Sequence, residues 1–392
     1  MQNNMLIAQS GGPTMVINQS LAGAVLAARK SKAIGTIYGA KHGIQGILHR
    51  DFVNLSKVSQ AEIKAIAQTP SSALGSVRRK PTPEDCKAIF EVLAEQNVGY
   101  FFYIGGNDSA ETVHIIHEAA IAAGSSLRCF HIPKTIDNDL RENDHTPGFA
   151  SAARFVACAF IGDDLDSRAL GGVKVNIVMG RHAGFLTAAA ALARKHTGDG
   201  PHLIYLPERP FSIEQFATDV KAMYQKHGRC VIAVSEGIAD ATGEAIAARF
   251  SKEVDSHGNK QLSGTGSLGD YLATEIKART GISRVRADTF GYLQRSFPGI
   301  ASKVDMQEAY QAGEAAVHAA LKGRTSGSIA IRRQKGDTYG VTYEPVPLSK
   351  VARETRHMPA SFINKAGNDV TAAFIRYAAP LVGPLPKTTH LH

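Results

Sequence analysis

Residues 133–139 read Pro-Lys-Thr-Ile-Asp-Asn-Asp and place two acids, a hydroxyl and a cation within seven positions. Asp137 and Asp139 are two residues apart, and Lys134 and Thr135 come just before them. One acid in a loop is usually a turn residue, whereas two acids beside a lysine can act as a base and a metal-organising group. The segment therefore indicates proton transfer on a ligand that a divalent cation helps to hold.

Two pairs of glycines follow predicted strands and could receive a phosphate group. Gly11 and Gly12 come after the apolar segment 5–9, and residues 105–109 read Gly-Gly-Asn-Asp-Ser after the apolar segment 98–104. Glycine lets the backbone approach a ligand closely, and a helix N-terminus offers free N–H groups. The first pair fits a tight turn equally well. The second carries three polar residues where a helix cap needs one, which favours a phosphate or metal role.

Charged residues also follow the later predicted strands. Arg181 comes directly after residues 178–180, Glu236 stands at the end of a strand, and Arg286 and Arg295 flank an apolar patch. Arginine can bind a phosphate through two parallel hydrogen bonds, and a glutamate could hold a sugar hydroxyl. Each residue alone fits an exposed position as well as a binding site, but a phosphorylated small molecule would account for all of them.

The elements that would position these residues alternate between strands and helices. Such alternation favours parallel sheets covered by helices on both faces, with ligands at the carboxyl ends of the strands. The pattern restarts near residue 173, which predicts two α/β units, and it is lost after residue 343, where we expect a cap of loops and one or two helices. The predicted strands are 5–9, 98–104, 173–180, 202–208 and 230–237, and the predicted helices are 14–29, 109–123, 182–196 and 212–226.

Composition narrows the class of protein. The chain has 392 residues, 44% of them hydrophobic, and a net charge of +9 from basic residues that are scattered along it. Scattered cations suit small phosphorylated ligands better than nucleic acid. No apolar run approaches the length of a membrane span, and the first residues do not resemble a signal peptide. The four cysteines are far apart, so we expect a reduced cytoplasmic protein with no membrane or nucleic-acid partner.

Taken together and in this order, the motifs resemble the phosphofructokinase family over about residues 4–345. The resemblance implies two Rossmann-like three-layer α/β domains with the active site in the cleft between them. A phosphoryl-donor domain would comprise 1–148 plus about 296–345, and a sugar-phosphate domain 149–295 plus about 346–392. Family members form homodimers or homotetramers and use Mg²⁺. The segments that carry the resemblance are 11–12, 74–78, 105–109, 135–139, 179–181, 235–237 and 291–295.

The resemblance also implies roles for individual residues. Asp137 would take the proton from the sugar 1-hydroxyl, Thr135 would hold the transferring phosphoryl group or the sugar, and Arg78 would stabilise the developing charge. The N–H of Gly12 would lie near the transferring phosphoryl group. Metal binding falls to Asp108 and Asp139. In oligomeric members of the family, some of the arginines that bind the sugar phosphate reach in from a neighbouring subunit. The residues that would bind the sugar phosphate here are Met179, Gly180, Arg181, Glu236, Arg286, Tyr292 and Arg295.

Two departures from the ATP-using members resemble the pyrophosphate-dependent branch of the family. Asp108 and Lys134 stand where those members have glycine. A carboxylate at position 108 adds bulk and negative charge where the α-phosphate of ATP would pass, and a lysine supplies a cation for diphosphate. The resemblance therefore implies reversible phosphoryl transfer from diphosphate to fructose 6-phosphate, giving fructose 1,6-bisphosphate and phosphate.

Other departures leave alternatives open. Asn107 stands where many members have a metal-binding aspartate, and Tyr292 where ATP users often have histidine. The sugar-phosphate arginine upstream of Met179 has no clear match, and Lys174 is the nearest cation. An ATP-dependent phosphofructokinase, a preference for sedoheptulose 7-phosphate, and a non-catalytic sugar-phosphate sensor all remain possible. No catalytic role is assigned to the residues after about 345.

Overall fold

A computed structural model describes residues 3–250, 266–336, 338–352 and 355–389. The strands are β1 (Asn3–Gln9), β2 (Ile34–Ala40), β3 (Phe52–Asn54), β4 (Val98–Gly105), β5 (Arg128–Pro133), β6 (Gly172–Val178), β7 (Leu203–Tyr205), β8 (Arg229–Ser235), β9 (Val285–Thr289), β10 (Ser326–Arg333) and β11 (Val341–Val346). The helices are α1 (Ile17–Arg29), α2 (Ile44–Leu48), α3 (Gln60–Ala67), α4 (Pro83–Glu95), α5 (Asn107–Ala122), α6 (Phe149–Leu170), α7 (Phe185–Ala188), α8 (Ile213–His227), α9 (Ser267–Thr280), α10 (Leu293–Ser296), α11 (Lys303–Leu321) and α12 (Ala372–Val382). Short 3₁₀ helices lie at Ala189–Ala193, Ile246–Arg249, Leu348–Lys350 and Ala360–Phe362.

The chain divides into two compact units. Unit 1 comprises Met1–Phe149 and Arg295–Arg356, and unit 2 comprises Ala150–Gln294 and His357–His392. The sequence analysis placed the residues after about 345 in the second domain, and for 346–356 this was wrong. Leu348 is buried in the unit 1 core, and Val351 packs against Ala110 and Leu140. These buried apolar side chains hold the segment to unit 1.

Unit 1 is built on a seven-stranded sheet with helices on both faces. The strand order is β11-β10-β5-β4-β1-β2-β3, and only the two edge pairs, β10–β11 and β2–β3, are antiparallel. Side chains alternate along each strand, so Phe102 of β4 packs in the core with α1, α3 and α11, whereas Phe101 packs in the opposite core with α2, α4 and α5. Every residue of β4 is buried, as expected for a central parallel strand.

Unit 2 contains a four-stranded parallel sheet in the order β7-β8-β6-β9. Val175 and Ile177 of β6 face a core that also contains residues of α8 and α9. Asn176 points the other way and donates a hydrogen bond of 2.6 Å to Asp163 of α6. Helices therefore cover this sheet on both faces too, and the predicted α/β fold class is confirmed.

Two predicted helices differ from the structure. The helix predicted from residue 14 begins at Ile17, so the Gly11–Gly12 turn is separated from it by a short connection. The helix predicted over 182–196 is instead α7 followed by the 3₁₀ helix Ala189–Ala193. All residues from Phe185 to Ala193 are buried, and tertiary packing outweighs the helix propensity of the alanines here.

The C-terminal segment of unit 2 consists of loops, the 3₁₀ helix Ala360–Phe362 and α12, as the sequence predicted, and it packs on the rest of the unit. The backbone N–H of Ile204 in β7 donates to the carbonyl of Asn368 at 2.8 Å. Arg194 forms two hydrogen bonds of 3.0 Å with Asp369, and Tyr377 of α12 lies against Phe185 with ring centroids 6.1 Å apart. Within the described ranges, no helix is both long enough and apolar enough to cross a bilayer.

Candidate active site

The segment after β5 presents its polar residues on alternate positions. Thr135, Asp137 and Asp139 are partly exposed, whereas their neighbours Lys134 and Asn138 are buried. The chain bends at residues 136–137 and is left-handed at Asn138, so local turns set this alternation. The hydroxyl of Thr135 accepts a hydrogen bond of 3.1 Å from the backbone N–H of Asp137. The structure therefore places the predicted base, the threonine and the second acid on one side of this loop.

The loop is held rigidly from behind. Asn138 adopts a left-handed conformation with φ of 60°, and its side-chain oxygen accepts a hydrogen bond of 3.1 Å from the N–H of Thr146. The hydroxyl of Thr146 donates to the carbonyl of Thr135 at 3.0 Å. Gly148 donates its N–H to Asp305 of α11 at 2.9 Å. These bonds preorganise the acids, as phosphoryl transfer by positioning requires.

Lys134 is the most unusual group in unit 1. It is only 3% exposed, and its Nζ donates to the carbonyl of Gly12 at 2.7 Å. The pKa of Lys134 is lowered to about 7, mainly by burial and in addition by the positive charges of Arg295 and Arg78. Three cations thus converge on one place, where the attraction of Asp137 and Asp139 only partly offsets burial and charge repulsion, and this excess of positive charge points to an anionic ligand.

Gly12 lies close to the guanidinium groups of two arginines, which a larger residue would displace. A Cβ at this position would be 2.9 Å from Nη1 of Arg295 and 3.6 Å from Nη2 of Arg78. The glycine therefore lets two arginines approach the backbone of the first loop. The sequence analysis grouped Arg295 with the sugar-phosphate residues, but the structure places it in unit 1 beside the residues predicted to bind the donor.

The three polar residues at the start of α5 do not cap the helix. Gly106 is the N-cap, and no side chain caps this helix. Ser109 instead forms a hydrogen bond with Ser10, and Asp108 lies 3.7 Å from the ammonium of Lys80. Each polar side chain is thus used for a contact with a distant part of the chain.

Lys80 is a residue that the sequence analysis missed. Its ammonium forms an ion pair of 2.7 Å with Glu111, in addition to its contact with Asp108. The hydrogen bond with Glu111 raises the pKa of Lys80. Lys80 therefore joins the segment that carries Arg78 to the first turns of α5. The only signal in the sequence was the local basic cluster at 78–80.

Asp139 and Asn107 form the part of unit 1 that best fits a divalent cation. The amide nitrogen of Asn107 lies 3.4 Å from a carboxylate oxygen of Asp139. Burial raises the pKa of Asp139, and the negative charge of Asp137 adds to the effect. The side-chain oxygen of Asn107 is buried and has no hydrogen-bond partner among the described residues. Carboxylate and amide oxygens are ligands that hard cations prefer, whereas Asp108 faces Lys80.

This set of ligands is small. The described residues contain no group of three or more histidine, cysteine or acidic side chains that could hold a metal ion. Mg²⁺ is commonly bound by one or two carboxylates together with substrate phosphates and water. The residues present therefore fit a cation that arrives with, or is completed by, a phosphorylated ligand.

Four of the predicted sugar-phosphate residues come together in unit 2. The N–H of Gly180 points to Glu236 at 3.5 Å, and its carbonyl accepts a hydrogen bond of 2.6 Å from Ser235. The N–H of Met179 donates to the buried side chain of Gln294 at 3.3 Å. Arg181 follows directly in the same loop. The carboxyl ends of β6 and β8 thus form a polar edge, as expected for parallel sheets.

The other two predicted residues in unit 2 lie at exposed positions. Arg286 is exposed on the edge strand β9 and donates to the carbonyl of Val285 at 3.0 Å. Tyr292 is 45% exposed. Lys174, the nearest cation to the missing arginine, is paired with Asp288 and lies 3.7 Å from Asp163. The charge of Lys174 is therefore used in ion pairs within unit 2.

The groups at the strand ends of the two α/β sheets indicate a class of protein that transfers phosphoryl groups. They are glycines, arginines, a buried lysine and paired acids. The family model described as "Phosphofructokinase" matches residues 4–320. The chain belongs to the phosphofructokinase family.

Named relatives and solved structures match over nearly the whole chain. The pyrophosphate–fructose 6-phosphate 1-phosphotransferase of Rhodospirillum rubrum is 55% identical over 384 residues, covering 97% of this chain and 95% of that protein. The protein of the same name from Xanthomonas campestris pv. campestris is 41% identical over 388 residues, covering 97% and 91%. The crystal structure of a pyrophosphate-dependent phosphofructokinase from Marinobacter aquaeolei has a TM-score of 0.88 at 33% identity, covering 99% of this chain and 93% of that chain.

Proposed function

We propose that this protein is a pyrophosphate-dependent 6-phosphofructokinase. It transfers a phosphoryl group reversibly from diphosphate to fructose 6-phosphate, giving fructose 1,6-bisphosphate and phosphate. The names of the relatives at 55% and 41% identity support this function. The structural observation that carries it is the buried ammonium of Lys134 beside Arg78 and Arg295, because this cluster calls for a compact, highly charged donor.

Unit 1 supplies the donor site in this proposal. Without a ligand, burial lowers the pKa of Lys134, and repulsion by the positive charges of Arg295 and Arg78 adds to the effect. Diphosphate would balance those charges and favour the protonated ammonium, so donor binding and protonation of Lys134 reinforce each other. The guanidinium of Arg78 then stabilises the charge that develops on the transferring phosphoryl group.

The start of α5 disfavours a nucleotide donor. Asp108 is fixed by Lys80, which also pairs with Glu111. A carboxylate held at the beginning of this helix occupies a place that would otherwise suit the phosphates of a longer donor. Repulsion between Asp108 and a third phosphate group would select for diphosphate. Lys80 is therefore a positioning residue for donor selectivity.

Asp137 is the proposed general base. It would take the proton from the sugar 1-hydroxyl while the oxygen attacks the phosphorus atom of the donor. Its position on a loop fixed by Asn138 and Thr146 keeps the carboxylate aligned. Thr135 shares that side of the loop and would bind the transferring group. Once the bond to the donor breaks, phosphate leaves and the sugar carries the second phosphate.

The phosphofructokinase family needs a divalent metal ion, and we propose Mg²⁺ for this chain. Asp139 and the amide oxygen of Asn107 would hold it, together with oxygens of the donor. When bound, the ion would neutralise negative charge on the phosphates. Many members of the family have an aspartate where this chain has Asn107, so one fewer negative charge would face the ion than in those members.

Unit 2 would bind the acceptor through the loop that carries Met179, Gly180 and Arg181, with Glu236 receiving a sugar hydroxyl. Arg286 and Tyr292 would contact the sugar phosphate. The protein would act as a homodimer or homotetramer in the cytoplasm. Arg295 is moved in our proposal from the acceptor to the donor side, because of its place beside Gly12.

The proposal is tested by initial rates with diphosphate and with ATP as alternative donors, fructose 6-phosphate and Mg²⁺ being held constant. We expect turnover with diphosphate and little with ATP. The double variant Asp108→Gly/Lys134→Gly should lose diphosphate turnover and gain relative activity with ATP. Strong ATP turnover by the wild-type protein, with none from diphosphate, would refute the proposed donor.

A further inference from the structure

Arg78 lies on a part of the chain that has neither helix nor strand. The connection between α3 and α4 runs from residue 68 to residue 82, and Arg78 is in its second half and exposed. A guanidinium that must meet a developing charge has to be preorganised, and an irregular segment loses conformational entropy when it is fixed. Contacts with other elements of unit 1 must therefore hold this connection in place.

Two buried amide side chains hold the first half of the connection. They belong to Gln9, the last residue of β1, and to Asn18, in the first turn of α1. The side-chain oxygen of Gln9 accepts hydrogen bonds from the N–H of Leu74 at 2.9 Å and from the hydroxyl of Ser72 at 2.8 Å. Its side-chain nitrogen donates to the side-chain oxygen of Asn18 at 3.0 Å. Gln9 thus joins the connection to both β1 and α1.

Asn18 binds two further backbone groups of the same segment. Its side-chain oxygen accepts a hydrogen bond of 2.9 Å from the N–H of Ala73, and its side-chain nitrogen donates to the carbonyl of Thr69 at 2.9 Å. Hydrogen bonds are directional, and a buried amide is destabilising unless it is paired. The amide pair, Gln9 and Asn18, therefore specifies one backbone conformation for residues 69–74.

The second half of the connection is joined to the Gly11–Gly12 turn. The N–H of Gly11 donates to the carbonyl of Val77 at 3.2 Å, and the hydroxyl of Ser76 donates to the carbonyl of Gly11. Arg78 is the next residue after Val77, and its Nη2 lies 3.6 Å from the position of a Cβ at Gly12. A continuous set of hydrogen bonds thus leads from the amide pair to the backbone that carries this guanidinium.

We propose that Gln9 and Asn18 are positioning residues for Arg78. They fix residues 69–77, so that the guanidinium meets the charge on the transferring phosphoryl group without first having to be ordered. The inference rests on the proposed function for the role of Arg78 itself. Neither amide was a candidate from the sequence, because an amide at a strand end or a helix start gives no distinctive local signal.

The test uses Asn18→Leu, which removes the amide but keeps a side chain of similar size. Its matched control is Asn4→Leu, near the other end of β1. Asn4 also binds two backbone groups, the carbonyl of Gln96 and the N–H of Thr36, both at 2.8 Å. Ser72→Ala is a milder variant that removes one hydroxyl from the network. Circular dichroism and thermal unfolding establish which variants are folded, and Ser72→Ala decides the test if Asn18→Leu is not.

Rates with diphosphate and fructose 6-phosphate are measured for each substitution, both alone and combined with Arg78→Met. We expect Asn18→Leu to lower kcat about tenfold to a hundredfold and Ser72→Ala about threefold. The KM for fructose 6-phosphate should stay within about twofold, because the proposed acceptor residues lie in unit 2. Combined with Arg78→Met, either substitution should lower kcat by less than about twofold, since the group that it positions is absent. Asn4→Leu should leave kcat within about twofold of the wild type.

A purely structural role of the amides gives a different pattern. Loss of kcat by the same factor with and without Arg78 would overturn the inference, because independent effects add as free energies. An unchanged kcat in a folded variant would overturn it as well. A loss that Asn4→Leu matches would show a general effect of lower stability, which also contradicts positioning.

Failure of the proposed function is seen separately. A wild-type protein that does not turn over with diphosphate refutes that function, and the inference is then tested by a measurement that needs no turnover. Trypsin cleaves after arginine, so brief digestion followed by mass spectrometry reports how often the connection opens at Arg78 and Arg79. We expect cleavage at these two bonds to be about tenfold faster in Asn18→Leu than in the wild type or in Asn4→Leu. Equal rates would overturn the inference.

Discussion

Replacing Lys134 with methionine should stabilise the ligand-free protein at acidic pH and at the same time abolish its binding of diphosphate. The ammonium is 3% exposed, and Arg78 and Arg295 lie near enough to lower its pKa. A buried charge destabilises the folded state when its loss of hydration outweighs its attraction to nearby anions, here Asp137 and Asp139. Function and stability therefore oppose each other at this residue, as they often do in preorganised binding sites.

The sign and size of the effect follow from proton linkage. The pKa of the lysine is 10.5 in the unfolded chain and about 7 in the folded protein, so unfolding takes up a proton between these two pH values. The stability of the wild-type protein therefore rises from pH 7 to 10.5 and is independent of this group below pH 7. At about 1.36 kcal/mol per pH unit, the destabilisation is about 5 kcal/mol at pH 6 and about 2 kcal/mol at pH 9.

Methionine removes this charge but also the hydrogen bond to the carbonyl of Gly12. An unsatisfied buried carbonyl costs about 1–3 kcal/mol, so the variant should be about 2–4 kcal/mol more stable than wild type at pH 6 and nearly equal at pH 9. Since unfolding entropy is about 2.1 cal/mol/K per residue, 1 kcal/mol shifts the Tm of a 392-residue chain by about 1.2 °C. At pH 6, the Tm of the variant should therefore exceed that of the wild type by about 2–5 °C.

The assay is thermal unfolding of Lys134→Met and wild type at pH 6 and pH 9, with and without diphosphate and Mg²⁺. Exposed Lys87, changed to methionine, is the control for loss of a charge. Diphosphate should raise the Tm of the wild type and of the control but not that of the variant. A difference in Tm that does not change with pH, or a wild type that is the more stable protein at pH 6, would refute the reasoning.

Three further substitutions probe the other groups of unit 1. Asp137→Asn should lower kcat by about 10²–10⁴ while calorimetry still detects fructose 6-phosphate binding, and turnover near the wild-type level would exclude the role of base. Asn107→Leu should raise the Mg²⁺ concentration for half-maximal rate about tenfold, whereas an unchanged metal dependence would exclude this amide as a ligand. Lys80→Met leaves Asp108 unbalanced and should raise KM for diphosphate about threefold to tenfold, and an equal rise in Lys87→Met would contradict that reason.

Much of the site could be predicted from local sequence because each motif follows a strand or opens a helix. The alternation of strands and helices predicted the α/β class, and parallel sheets bring the carboxyl ends of their strands to one edge. Residues 133–139 and 179–181 therefore fell at strand ends in the structure as expected. The wrong assignment of 346–356 has an equally plain cause, since nothing local shows which core will bury Leu348.

By itself, the sequence determined the order of the elements, the chemical groups at their ends and the two residues, Asp108 and Lys134, that we propose select diphosphate over ATP. Only the tertiary structure decided how those groups are paired. It placed Arg295 beside Gly12, gave Asp108 the partner Lys80, and buried Lys134 so that its pKa falls to about 7. The physical reason is that burial and charge act through space, on neighbours such as Lys134 and Gly12 that are far apart in the chain.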